Sequence, residues 1–402
     1  MWGVKKAYFR TFQAVFNIGA RLLPWRKPEL QNAPDSIKKI PSLLKKSGVS
    51  KPMVVTDPGL VKAGVAPAVT AVLEADGVNY AFYDDIAPNP TVTMVNAIKK
   101  KYIEENCDSF VAIGGGSSMD AAKAAAAIIA KPGKTVNKLG GLLKIRKRIP
   151  VFIAVPTTAG TGSETTIAAL ITDPETHHKY ALMDLCLIPK YAVLDAKLTL
   201  GLPPHITSTT GMDALTHAVE AYLCWTYNTK ESLRFAEEAT KLIFENLERA
   251  YNDGSDIEAR QNMMTASFKA GFAFTRAGVG NVHAIAHTLG GLYNTAHGLA
   301  NAVILPVVLE EYGEKVYPKL ARLAEIAGVK TDGTTAEKAR AFIKEIYDMN
   351  KRMGIPDGFD FIKDEDIPQM TKWAYKEANP IYPVPVLFNR ERFAKVINKI
   401  RK

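Results

Sequence analysis

Cysteine is nearly absent from the chain: Cys107, Cys186 and Cys224 are the only three in 402 residues. They are far apart, odd in number and form no C-x-x-C pair. That excludes a disulfide framework and a thiolate metal knuckle, and it makes a reducing compartment, the cytoplasm, the expected location. No apolar run reaches the length of about 18 residues that crosses a bilayer, so no transmembrane segment is expected. The G-x-G-x-x-G fingerprint is missing, which removes the ordinary Rossmann inference. The formal charge is +10, yet acids and bases are mixed along most of the chain and no RNA- or DNA-binding signature accompanies it. The balance fits anionic ligands such as nucleotides, and no nucleic-acid partner is expected.

Acidic residues are missing from the first 28 positions, which carry Lys5, Lys6, Arg10, Arg21, Arg26 and Lys27. On a helical wheel Tyr8, Phe9, Phe12, Val15, Phe16, Leu22 and Leu23 fall on one side, and Lys6, Arg10 and Arg21 on the other. This amphipathic arm either lies on an anionic membrane surface or packs on the protein body or a second subunit, packing being the commoner use of such a helix. Gln13, Asn17 and Arg21 interrupt the apolar stretch, which excludes a secretory signal. The first serine is Ser36, which argues against a transit peptide.

Length favours more than one domain. From about Pro52 to Asp195 short apolar runs alternate with helical stretches, the pattern of a parallel sheet with helices on its faces. Met53 to Thr56, Phe110 to Ile113, Val151 to Val155 and Ala192 to Leu194 are predicted strands. Ala66 to Asp76, Thr91 to Glu105 and Met119 to Ala130 are predicted helices. After Leu202-Pro203-Pro204 strands become scarce, and helices are predicted over Gly211 to Cys224, Lys230 to Tyr251, Ile257 to Phe274, Thr335 to Met353 and Arg390 to Ile400. The expected organisation is an amphipathic arm over 1–30, a dinucleotide-binding α/β domain over 31–200 and a helical, metal-binding catalytic domain over 201–402. The fold class is thus an α/β N-terminal domain, a variant of the Rossmann-like parallel sheet, joined to an all-α C-terminal domain. Lys99-Lys100-Lys101 and the cluster from Lys144 to Arg148 read as solvated faces.

Only seven histidines occur, and four of them group. His283 and His287 are four apart, so on a helix both imidazoles project to one side. Gly290 and Gly291 are expected to break that helix and let the chain bring His297 back toward His283. Upstream, Asp213 and His217 have the same four-residue spacing. One carboxylate and three imidazoles suit a borderline divalent ion such as iron(II) or zinc. The alternative is a set of ordinary core and surface histidines. Glu220, seven residues after Asp213, either orients a ligand imidazole or is an exposed charge.

The stretch FVAIGGGSSMDAAKAAAA reads as strand, triple-glycine turn and alanine-rich helix. Gly114, Gly115 and Gly116 let backbone N–H groups approach a pyrophosphate at the positive end of the helix, although a plain tight connection has the same sequence requirements. In VPTTAGTGSE, Thr157, Thr158, Thr161 and Ser163 offer hydroxyls suited to ribose, phosphate and carboxamide groups. Asp57 follows a strand; its carboxylate either accepts from an adenosine ribose, favouring NAD over NADP, or caps a helix.

These motifs, together with PNPT at Pro88 to Thr91 and GMDALTHAVEA, resemble the iron-containing, or group III, alcohol dehydrogenases from about Ser36 to the C-terminus. The resemblance implies a dehydroquinate synthase-like architecture with an active site in the cleft between its two domains. It also implies a metal, iron(II) or else zinc or another divalent ion, on Asp213, His217, His283 and His297. His287 is then left for proton transfer or cofactor positioning. Gly115, Gly116, Ser117, Asp120, Thr157, Thr158, Thr161, Lys179 and Asn89 are implied to face NAD(H), and Phe274 to line the substrate pocket. The first 30 residues have no counterpart in the family core. Thr275-Arg276 stands where smaller polar residues are common, so Arg276 either shapes the pocket, binds an acidic substrate or is a surface arginine.

The implied reaction is hydride exchange between a small alcohol or aldehyde and the nicotinamide, in a homodimer or higher homo-oligomer. Short primary alcohols, 1,2-diols and 4-hydroxybutyrate-like acids all remain open as substrates. A lyase of the dehydroquinate synthase type is the alternative from another class, but it needs Lys and Arg interleaved with the histidine motifs, and only Arg276 offers that.

Overall fold

The computed structural model describes residues 2–174 and 179–402, with the backbone alone at 179 and 180. The chain divides into two compact units, one formed by Pro24–Gly201 and the other by Met1–Leu23 with Leu202–Lys402.

The first helix, α1 (Trp2–Arg21), belongs to the second unit. The α/β unit contains strands β1 (Glu29–Asn32), β2 (Pro52–Val55), β3 (Ala81–Tyr83), β4 (Ser109–Gly114), β5 (Gly141–Leu142), β6 (Val151–Pro156), β7 (Ala168–Thr172), β8 (Lys179–Met183) and β9 (Tyr191–Leu194). Its helices are α2 (Ile40–Lys46), α3 (Pro58–Lys62), α4 (Val65–Ala75), α5 (Val92–Glu104), α6 (Gly116–Ala130) and α7 (Val136–Leu139). Six strands form a wholly parallel sheet in the order β1-β9-β6-β4-β2-β3. Strands β2, β4 and β9 are buried throughout, as expected where helices cover both faces of a parallel sheet.

Alternate residues of these strands feed different cores. Met53, Val55, Phe110, Ala112, Phe152 and Ala154 face α5 and α6 through Val95, Ile98 and Met119. Val54, Val111, Ile113, Ile153, Val155 and Val193 join Ile40, Leu44, Val69 and Leu73 of α2 and α4. The period-two pattern therefore builds two cores from one sheet. Helix α6 is lined by buried alanines from Ala121 to Ala127, whose small side chains let its backbone lie close to the sheet.

The three-stranded sheet β5-β8-β7 and the edge strands β1 and β3 were not among the predicted elements. Strands β1, β3 and β5 are short, and β5 and β1 carry Gly and Asn, residues that weaken a strand signal.

The helical unit comprises α8 (Pro204–Leu223), α9 (Lys230–Asn252), α10 (Ile257–Ala277), α11 (Asn281–Tyr293), α12 (His297–Tyr312), α13 (Tyr317–Ile326), α14 (Thr335–Arg352), α15 (Ile367–Ala378) and α16 (Arg390–Ile400). Helix α8 is buried from Gly211 to Leu223 and packs against α9, α10 and α12. It starts seven residues before the predicted Gly211 because Pro204 sits in its first turn, where the missing N–H costs nothing. Capping boxes at Thr229 and Thr334 fix the starts of α9 and α14.

Helix α1 packs on this same unit, and its inner face differs from the predicted one. Phe9 joins Val384 and Leu387 in a small core, but the other buried positions are the polar Gln13 and Asn17. Gln13 Nε2 donates to the carbonyls of Pro380 (2.8 Å) and Tyr382 (2.7 Å), and its Oε1 accepts from Trp225 Nε1 at 2.6 Å. Arg10 donates to the carbonyls of Val384 and Pro385, and Asn17 to that of Thr226. The segment 380–385 offers carbonyls outside any regular element, and amide and guanidinium donors satisfy these where aliphatic groups cannot. Tyr8, Val15 and Leu22 consequently face outward. Among the described residues no helix is long and apolar enough to cross a membrane.

Candidate metal centre and nucleotide loops

Three helices of the helical unit supply the donor cluster. Asp213 and His217 lie one turn apart on α8, His283 is on α11, and His297 opens α12. One ligand atom from each lies within 4.8 Å of the others. Helix α11 does not break at Gly290 and Gly291 as expected. It runs to Tyr293 and stops on Asn294, which adopts a left-handed φ of 52°, a conformation asparagine tolerates as a helix stop. The short turn that follows still returns His297 toward His283, their ring centroids standing 5.3 Å apart. Gly298 lets α12 start close against α8, since a Cβ there would lie 2.4 Å from the Thr209 carbonyl oxygen.

Glu220 is buried rather than exposed, and its Oε2 lies 2.6 Å from His283 Nδ1. The same carboxylate accepts from the backbone N–H groups of Gly280 (2.7 Å) and Val282 (2.8 Å). With those donors on the carboxylate, His283 carries its proton on Nδ1 and presents the Nε2 lone pair to the cluster. Burial pushes the Glu220 carboxyl up to about 8, against the pull of these donors. Burial, reinforced by the neighbouring imidazoles, holds His283 well below the usual histidine value, so it is a neutral donor.

The chemistry of the set fits a divalent cation: one carboxylate, three imidazoles and a second carboxylate behind one of them.

Asn301, not singled out from the sequence, stands among these atoms. Its Nδ2 donates to Asp213 Oδ1 at 2.6 Å and lies 3.2 and 3.1 Å from the Nε2 atoms of His283 and His297. The spacing His297 to Asn301, one helical turn, was the signal available.

His287 faces the cluster from α11 without belonging to the four. Its ring stacks on His297 at 5.2 Å, and its Nδ1 lies 2.6 Å from Glu377 Oε1, which also accepts from the Tyr382 hydroxyl at 2.7 Å. Burial raises the Glu377 carboxyl, but the charge and hydrogen bond of His287, together with the Tyr382 hydroxyl and the charge of His297, outweigh it and hold the group below its ordinary value. Neither Glu377 nor Tyr382 had a sequence signal. Phe274 stacks on His217 at 4.1 Å between ring centroids, beside the donor cluster. Arg276 is half-buried and attracted to Glu231.

In the α/β unit the expected nucleotide loops leave neighbouring strands at their carboxyl ends. Asp57 follows β2, the glycine turn follows β4, and Thr157 follows β6, the three strands lying side by side. Ligands of open α/β sheets bind outside such strand ends. Gly114 has φ 146°, and a Cβ there would meet Ser118 Oγ at 2.6 Å, so only glycine fits. The turn and the threonine loop are tied by Thr157 N–H to the Gly114 carbonyl, 3.1 Å. Gly115 caps α6, with Gly116 and Ser117 in its first turn, and Thr158 and Thr161 stand next to Gly115 and Gly116.

Asp57 caps α3, its Oδ1 accepting from Leu60 N–H at 3.0 Å. Asp120 has both carboxylate oxygens bonded inside the unit, to Ser163 Oγ (2.9 Å) and Leu170 N–H (3.0 Å), so it braces the loop and β7. Asn89 is exposed with φ 57° after β3. Lys179 begins β8 opposite Thr172, which bridges to Thr91 near Asn89; the Lys179 side chain lies outside the described residues.

Four donors gathered on a helical unit, and glycine and threonine loops at the strand ends of a parallel sheet, suit an enzyme that uses a divalent cation and a nucleotide. Residues 28–196 match the iron-containing alcohol dehydrogenases, and residues 207–400 match the C-terminal part of the Fe-containing alcohol dehydrogenase family; the chain belongs to that family. It is 37% identical over 345 residues to the NAD-dependent methanol dehydrogenase of Bacillus methanolicus, covering 85% of this chain and 90% of that one. A 1,3-propanediol oxidoreductase of known crystal structure is 34% identical with a TM-score of 0.90, over 94% of this chain and 100% of that one. The sulfoacetaldehyde reductase of Bifidobacterium kashiwanohense, solved with NAD+, is 27% identical with a TM-score of 0.84, over 94% and 98% of the two chains.

Proposed function

We propose that the protein is a metal-dependent, NAD(H)-linked alcohol dehydrogenase and aldehyde reductase acting on small primary alcohols or diols. The observation that carries this reading is the convergence of Asp213, His217, His283 and His297 within 4.8 Å, with Glu220 behind His283. These four residues would hold the ion, iron(II) or another divalent metal, which would supply Lewis-acid polarisation of the alcohol or aldehyde oxygen, while a nicotinamide bound at the loops of the α/β unit would supply the hydride chemistry.

The chain's own residues do the remaining work. Glu220 fixes the His283 tautomer, and Phe274 walls the donor cluster at His217. Glu377, itself held by Tyr382, orients His287 through Nδ1, which leaves Nε2 to take the proton given up by the alcohol or to return it to the product of aldehyde reduction. In the α/β unit, Gly115, Gly116 and Ser117 offer backbone N–H groups to the pyrophosphate at the start of α6. Thr157, Thr158 and Thr161 offer hydroxyls, and Asn89 and Lys179 complete the cofactor contacts. The Asp57 oxygen not used by the cap meets the adenosine ribose, which disfavours a 2′-phosphate. The relatives named for methanol and 1,3-propanediol support small alcohols and diols as substrates. Three free cysteines support a cytoplasmic location.

The deciding experiment is NADH oxidation with a panel of small aldehydes, on enzyme of known metal content. Turnover abolished by a chelator and restored by iron(II) or zinc is the expected result. Turnover indifferent to metal removal overturns the reading.

A further inference from the structure

Helix α1 lies before residue 28, outside both regions matched to the family, and it has two working faces. The inner face, with Phe9, Gln13 and Asn17, is fixed to the helical unit by the core contacts and carbonyl bonds described above. The outer face carries Val4 (76% exposed), Tyr8 (60%), Val15 (63%), Ile18 (65%) and, immediately after the helix, Leu22 (83%). Thr11 fills the one gap. Positions 4, 8, 11, 15, 18 and 22 follow three- and four-residue steps, so these side chains form a single stripe along one side. Lys5 and Arg21, both exposed, border the stripe, and no acidic residue occurs before Glu29. Trp225, whose indole N–H is bonded to Gln13, and Ile381, in the segment gripped by Gln13, add exposed apolar surface beside the helix.

Large apolar side chains scattered singly over a surface need no explanation, but five aligned along one helix do. Since the inner face already secures the helix to the protein, the outer stripe is not needed for folding. We propose that α1 seats the enzyme on an anionic membrane surface, lying in the plane of the interface with Val4, Tyr8, Val15, Ile18 and Leu22 in the headgroup and acyl boundary. Lys5 and Arg21 sit at the level of the lipid phosphates. Charge complementarity chooses this occupant over a second copy of the chain. A two-fold contact brings a stripe against itself, which here opposes two segments that hold only cations, whereas an anionic leaflet attracts every one of them.

The test is flotation of the full-length protein with vesicles of phosphatidylcholine alone and of phosphatidylcholine with phosphatidylglycerol. Binding is expected to favour the anionic vesicles by about tenfold or more and to weaken at about 0.5 M salt. The double variant Ile18→Asp, Leu22→Asp is expected to lower it by about tenfold or more, and Lys5→Glu, Arg21→Glu to abolish the preference for anionic lipid. All of these residues are exposed, so thermal unfolding and NADH-linked turnover in the absence of vesicles are expected to stay unchanged. Equal binding to both vesicle types, no binding, or full binding by both variants overturns the proposal. So does a change in sedimentation mass of either variant without lipid, which assigns the stripe to contact between copies.

Discussion

His287 Nδ1 and Glu377 Oε1 stand 2.6 Å apart, joining α11 to α15 beside the donor cluster. Glu377 also accepts from Tyr382, so its orientation is fixed from two sides. A carboxylate that holds an imidazole by one nitrogen fixes the tautomer and stabilises the imidazolium that forms when the other nitrogen takes a proton. Glu377→Gln keeps the shape and removes the charge. It is expected to lower kcat by about 10- to 100-fold with little change in KM. Tyr382→Phe, which loses a single hydrogen bond to Glu377, is expected to show a smaller loss of the same kind. Steady-state kinetics across pH reads both, and unchanged kcat in Glu377→Gln removes the pair from proton transfer.

Glu220 bears on the metal rather than on the proton. It holds His283 Nδ1 and receives two backbone N–H groups at the entrance to α11. Burial raises the Glu220 carboxyl to about 8, but a cation on His283 would favour the ionised form, which draws the Nδ1 proton; Glu220→Gln can still accept hydrogen bonds and cannot supply that charge. Metal affinity is expected to fall by about 10- to 100-fold while the helices stay folded. Metal content after dialysis against graded chelator measures this. Retention equal to that of the unmodified protein would count against the assigned role of Glu220.

Much of this centre was legible before the fold was known, because its strongest signals are local. Asp213 with His217, and His283 with His287, are helical neighbours that a 3.6-residue period brings to one side. Apolar runs at β2, β4, β6 and β9 marked the sheet, a glycine turn followed β4, a threonine loop followed β6, and Asp57 followed β2. What could not be read depends on tertiary packing. Glu377 reaches His287 across ninety residues of sequence, and no period or spacing announces it. The inner face of α1 was misjudged because hydrophobicity ranked Tyr8 and Val15 above Gln13, whereas the body offers carbonyls. The break expected at Gly290 and Gly291 occurs at Asn294: glycine inside a helix costs only about 1 kcal/mol, which packing offsets.

Asp57 combines two roles that substitution can separate. Its Oδ1 caps α3, and the proposed ribose contact uses its charge and its second oxygen. Serine also caps a helix but carries no charge, so Asp57→Ser is expected to hold stability while the preference for NAD over NADP falls by about tenfold or more. Asp57→Ala loses both, with about 1 kcal/mol of stability going with the cap. Thermal unfolding and the ratio of kcat/KM for the two cofactors distinguish the contributions. A cofactor preference unaltered in both variants leaves Asp57 with the cap alone.

Glu164, buried at the end of the threonine loop, gives the α/β unit a pH dependence of its own. Burial pushes its carboxyl up to about 7, its own backbone N–H and the charge of Lys123 offsetting only part of that. Lys123 is buried too, its ammonium held by the carbonyl oxygens of Ser163, Thr166 and Ala168 and pushed down to about 8 by desolvation. A carboxyl with a higher pKa folded than unfolded binds a proton on folding. Its contribution is therefore fully present below the ordinary value of 4.5 and is lost as pH rises through about 7. Glu164→Gln resembles the protonated form at every pH. Relative to the unmodified protein it is expected to be nearly neutral at about pH 4 and more stable by about 2–3 kcal/mol at about pH 8. Urea unfolding of both proteins at a series of pH values measures the difference, and one that fails to widen between those limits would mean that Glu164 ionises as an ordinary glutamate.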